Sequence, residues 1–207
     1  MSFFARSGPA PEPIEERTPY TRGPGFRGPS PDQVGRPVAD SFVLARTAAA
    51  AIGVQAIRAF PTGVVLEISW VLRRGAETAS EWAEAREASF RGTPFGRADD
   101  GPLFGVELAD GAVARTDDPF DWRDPGPGPL LMNPGGSSGG GGTERVHGSA
   151  TLWLHPLPLP PTFDLVCAWP RFGVPETRRT IDAVAVLEAA AAATWLWPED
   201  ADLPLDD

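Results

Sequence analysis

Three strand-like segments follow one another between residues 148 and 182, and the short spacing between them narrows the possible folds more than any other feature. Residues 148–155 alternate, with Ala150, Leu152 and Leu154 on one side and Thr151, Trp153 and His155 on the other. Residues 162–169 alternate again through Phe163, Leu165, Cys167 and Trp169. Residues 176–182 set charges around Thr177 and Ile181, the pattern of an exposed or edge strand. Parallel neighbours need a crossover of about a dozen residues, usually a helix. The run P-L-P-L-P-P between the first two segments leaves no room for one, so neighbouring strands are expected to run antiparallel.

The upstream chain repeats this logic. Residues 42–46 read as a first strand. Residues 54–60, the turn Pro61-Thr62-Gly63 and residues 64–72 read as a hairpin. Val64, Leu66, Ile68, Trp70 and Leu72 share one face of its second strand, with Val65 and Val71 as exceptions on the other. Residues 103–109 and 112–115 flank Asp110-Gly111, a dipeptide suited to a two-residue turn with positive φ. Residues 130–132 suggest a short strand.

Helix signals are few. Thr78 and Glu81 have the spacing of a capping box, so residues 81–89 read either as a short, weakly packing helix or as a mobile excursion. Asp182 is placed to cap a C-terminal helix over 183–197, with Val184, Leu187, Ala191 and Trp195 at helical spacing and Pro198 as its stop. The expected fold is mostly β: an antiparallel β-sandwich with one C-terminal α-helix and a disordered N-terminal arm. Residues 1–37 form that arm, since their Pro, Gly and Arg content leaves little to bury. Residues 41–197 form a single domain, and residues 198–207 an acidic tail.

Composition limits the function. The formal charge is -10 and every basic residue is arginine, with no basic run, which argues against nucleic-acid binding. The one cysteine permits neither an intrachain disulfide nor a cysteine-based zinc site. No apolar run approaches the roughly 20 residues of a membrane span, and the expected setting is cytoplasmic. The glycine- and serine-rich stretch 134–143 lacks the lysine that a phosphate-binding loop needs, and reads as a flexible inter-strand loop. Gly136-x-Ser138-x-Gly140 matches a nucleophile elbow in letters only, because no strand-to-helix turn surrounds it.

The order of these motifs carries a resemblance. F-G-V-E-L-A before a D-G turn, a polyglycine stretch, W-L-H-P-L-P-L-P-P, L-V-C-A-W-P, G-V-P-E-T-R and a terminal W-L-W resemble a family of uncharacterised actinobacterial proteins. The resemblance covers about residues 42–197. It implies a bacterial cytoplasmic setting and the domain limits, and no activity, cofactor or catalytic residue.

Four residues form the candidate site. Trp153, His155, Glu176 and Arg178 would share the non-core face if their strands are neighbours. Exposed aromatic and polar groups on a sheet face suit a protein partner, self-association or a small ligand. The expected function is a non-enzymatic binding or interaction module with no cofactor and no metal. The alternative is a small-ligand protein or hydrolase using His155, Glu176 and Arg178. The opposing arrangement buries Trp153 beneath the C-terminal helix.

Overall fold

The computed structural model describes residues 25–91, 101–118, 121, 123 and 125–202. The fold is mostly β, in antiparallel sheets. In chain order the strands are β1 (Gln33–Val34), β2 (Arg36–Val38), β3 (Phe42–Arg46), β4 (Ala50–Phe60) and β5 (Gly63–Arg73). Helix α1 (Ala79–Arg91) precedes β6 (Leu103–Glu107), β7 (Val113–Arg115), β8 (Leu130–Met132), β9 (Ser137–Gly141), β10 (Arg145–His155), β11 (Thr162–Trp169) and β12 (Val174–Asp182). Helix α2 (Ala183–Ala191) and β13 (Thr194–Trp195) follow.

Seven strands form the larger sheet along the path β2-β4-β5-β10-β8, with β3 also paired to β4 and β9 to β10. Four form a second sheet in the order β12-β11-β6-β7, and β1 pairs with β13 alone. The inner side chains of both sheets enter one core. On β5 these are the alternating Val64, Leu66, Ile68, Trp70 and Leu72, all buried. On β11 they are Phe163, Leu165, Cys167 and Trp169. Trp70 and Trp169 meet edge to face with ring centroids 6.3 Å apart, tying the sheets together. Helix α2 packs on β4, β2 and β11 and buries Ala183, Val186 and Ala190. Burying each large aliphatic side chain contributes about 1.5–3 kcal/mol, so this shared interior dominates the stability.

Several elements follow directly from local chemistry. Asp182 caps α2, its Oδ1 accepting from the Val184 and Ala185 amides at 2.8 and 3.3 Å. The capping box also forms: the Glu81 carboxylate accepts from the Thr78 amide at 2.8 Å, and Thr78 Oγ1 accepts from the Glu81 amide. The Asp110-Gly111 hairpin forms with a different turn from the expected one. Only Gly111 has positive φ, at 84°, and its amide donates to Leu108 O at 2.9 Å. The loop is therefore a wider one closed by a left-handed glycine.

Four expectations are corrected. The fold has two α-helices, not one: α1 buries Trp82 and Ala85 against the core, so the weak-looking helix earns its place through an indole. The C-terminal helix ends at Ala191, and residues 194–195 turn back as a strand against β1. The glycine-serine stretch is not wholly a loop, because β10 provides a backbone template on which Ser137–Gly141 pairs. Residues 25–37 are not part of a free arm: β2 pairs with β4, and the Arg36 guanidinium donates to Ala192 O at 2.7 Å. Residues 1–24 of the expected arm, and residues 203–207 of the acidic tail, lie outside the described residues.

Candidate functional site

The outward face of the four-stranded sheet is built by the same alternation that fills the core. Asp164, Val166 and Ala168 point outward on β11, and Leu103, Gly105 and Glu107 on β6. Pairing sets Arg178, Val166, Gly105 and Arg115 in one cross-strand row. Gly105 supplies no side chain in the middle of this row, and the surface dips there. The result is a groove of about 230 Å³ with Leu103, Gly105, Val166 and Ala168 at its floor. Glu107, Glu176 and Arg178 rim one side, Arg115 and Asp117 the other. An added Cβ at Gly105 would come no closer than 3.5 Å to any neighbour, an ordinary van der Waals contact, so the position does not require glycine on steric grounds.

Charge is concentrated around this groove. Arg178 Nη1 donates to Glu107 Oε2 at 2.5 Å and lies 3.5 Å from Asp164 Oδ2, while Nη2 meets Glu176 Oε1 at 3.3 Å. The hydrogen bond to Glu107, then that to Glu176, raises the Arg178 pKa and holds the guanidinium charged. Arg115 pairs with Asp117 at 3.0 Å and Asp118 at 3.3 Å. Five carboxylates thus face these two guanidinium groups, and on the lining of the groove itself Glu107, Glu176 and Asp117 outnumber Arg115 and Arg178 by one negative charge.

The four residues singled out by sequence do not gather. Glu176 and Arg178 sit together on the groove. Trp153 and His155 belong to β10 in the other sheet. Trp153 is fully buried at 0% exposure, which corrects its assignment as an exposed binding residue. It packs with Phe60, Val65 and Met132 in a second cluster on the outer side of the larger sheet. The cover there is not the C-terminal helix: Trp153 Nε1 donates to Gly25 O at 3.0 Å, within the segment leading to β1. His155 is half-buried at the end of β10, its Nδ1 2.7 Å from Thr62 O. A carbonyl only accepts, so Nδ1 carries the proton of this hydrogen bond. A shared His155, Glu176 and Arg178 site is therefore not formed.

Sequence reading missed Gly105 as the floor of the groove. Its signal was a glycine at an outward position of an otherwise regular strand, where close approach of another group is a recognised use. Glu107 and Asp164 were visible as polar strand residues, but their convergence on Arg178 depends on register. Burial pushes the Cys167 thiol up to about 12, as expected of a small buried side chain directly beneath this sheet. Among the described residues, no group of three or more His, Cys, Asp or Glu side chains is placed to hold a metal ion. Among them, no helix is long and apolar enough to cross a membrane. No family model, curated protein or solved structure matches the chain.

Proposed function

We propose that the chain is a non-enzymatic binding module that recognises an extended, positively charged segment in the groove on the four-stranded sheet. The supporting observation is the combination of an apolar floor at Gly105, Val166 and Ala168 with the excess of carboxylates around it. An aliphatic side chain of the ligand would lie over Gly105, and a neighbouring lysine or arginine would meet Glu107 or Glu176. Complementary charge of this kind sets specificity and speeds encounter more than it adds affinity. We also read the two facing sheets as a β-sandwich, which presents one outer face as a rigid platform while the core holds its strands in register.

A peptide array tests the proposal. Wild type is expected to be retained on short extended peptides that alternate basic and aliphatic residues. Gly105→Leu fills the dip and is expected to lose that retention while keeping the wild-type circular dichroism. Equal retention on acidic peptides, or unchanged retention by folded Gly105→Leu, would overturn it.

A further inference from the structure

We infer a second binding site, for a compact polyvalent oxyanion such as pyrophosphate, on the outer face of the larger sheet. It centres on Val71 and is rimmed by Arg46, Arg73, Arg145 and His147. These residues are far apart in sequence and meet only through strand register. Val71 pairs with Ala51 on one side and His147 on the other, and Ala51 pairs in turn with Arg46. One step along, Arg73 and Arg145 stand directly opposite each other on β5 and β10.

Directly opposed residues in an antiparallel pair have Cα atoms about 4.5–5.5 Å apart, and two like charges there repel. Such a pair is ordinarily relieved by a nearby carboxylate. None is supplied here: among the described residues, Arg46, Arg73 and Arg145 form no ion pair. The contrast with the rest of this face is clear, because Arg58, whose strand partner Val65 lies three rows from Val71, is matched by Glu67 at 2.6 Å. All four rim residues are exposed, as is Val71 at 38%. The floor between them is low, being formed by Ala51 and Val71. Arg46 lies two strands and one row from Arg73, roughly 12 Å at the usual spacings, within the combined reach of two arginine side chains.

Chemistry selects the ligand class. Three guanidinium forks present many donors in planar pairs, which match the oxygens of a phosphate group better than one carboxylate. A multivalent anion also neutralises more than one of them. The patch is too small, in a chain of formal charge -10, to hold a nucleic-acid backbone.

Calorimetric titration of the full chain with inorganic pyrophosphate at low ionic strength tests the site, with acetate at matched ionic strength as control. Saturable binding of one pyrophosphate is expected, weakening as salt screens the charges. Arg73→Ser with Arg145→Ser should weaken it by about tenfold or more, the effect of losing charge-assisted hydrogen bonds. Arg178→Ser, on the other sheet, should leave it unchanged. No saturable heat, or equal heats from wild type and the folded double variant, would overturn the inference. A second reading uses no ligand: Arg73→Ser should melt higher than wild type at low salt, and the difference should close as salt is added. A lower melting temperature would mean that Arg73 is already neutralised, which also overturns it.

Discussion

Arg178 on β12 reaches across β11 to Glu107 on β6, with 2.5 Å between Nη1 and Oε2. This contact spans three strands and draws Asp164 and Glu176 towards the same guanidinium. It makes Arg178 the local neutraliser of the groove. Both partners are well exposed, so the pair is expected to set charge more than stability. Arg178→Ala should therefore melt close to wild type yet bind a cationic peptide more tightly, because three carboxylates are freed. Glu107→Gln should bind the same peptide less tightly. Fluorescence anisotropy on the two variants checks the opposite signs.

Trp153 reports on the second cluster. It is fully buried, meets Phe60 edge to face at 5.9 Å between centroids, and donates to Gly25 O. Trp153→Ala should lower the unfolding free energy by about 3–5 kcal/mol through lost burial and a residual cavity. Removing residues 1–38 should also destabilise the fold, since it uncovers this cluster and deletes β1 and β2. Urea denaturation measures both. A shortened chain as stable as wild type would return residues 25–37 to the status of a free arm.

Two glycines should respond in opposite ways. A Cβ at Gly63 would overlap Leu154 O and come within 2.6 Å of Trp153 Cζ2. Backbone cannot yield as a flexible side chain does, so Gly63→Ala should cost about 1–3 kcal/mol. Gly105 has room, and Gly105→Ala should stay within about 0.5 kcal/mol of wild type while shrinking the groove. Thermal unfolding of the two variants side by side checks the contrast.

The buried thiol predicts a pH dependence. Desolvation raises Cys167 from 9.0 to about 12, so the unfolded chain ionises first as pH rises. The thiol's contribution is fully present below about 9 and is lost progressively between there and about 12. Urea midpoints measured at about pH 8 and about pH 10.5 should fall more steeply for wild type than for Cys167→Ala. The same burial should leave the native thiol unreactive towards a disulfide reagent until the protein unfolds.

Much of the strand architecture was legible, and the reasons are local. The β5 and β11 alternations report on faces that are buried on one side, where the period of two is enforced by the core. Asp182 and the Thr78–Glu81 pair act within one helical turn, so their caps could be read directly. What was not legible depends on partners distant in sequence. Glycines have little strand preference, and β9 forms only because β10 lies beside it. Thr194 and Trp195 look like the end of a helix until β1 comes to pair with them. Trp153 occupies the outward phase of β10, and its burial comes from Gly25, Phe60 and Met132, none of them nearby in the chain. The site divided for the same reason. Glu176 and Arg178 are two apart on one strand and stayed together, whereas His155 and Glu176 were separated when the chain crossed from one sheet to the other through residues 156–161.

The most direct test of the groove is a nuclear magnetic resonance titration of the uniformly nitrogen-labelled chain with a short peptide alternating lysine and valine. Saturable shifts are expected, confined to amides of β6, β7, β11 and β12 around Gly105, Val166 and Arg178, and absent in Gly105→Leu. Shifts scattered over both sheets, or none at millimolar peptide, would contradict it.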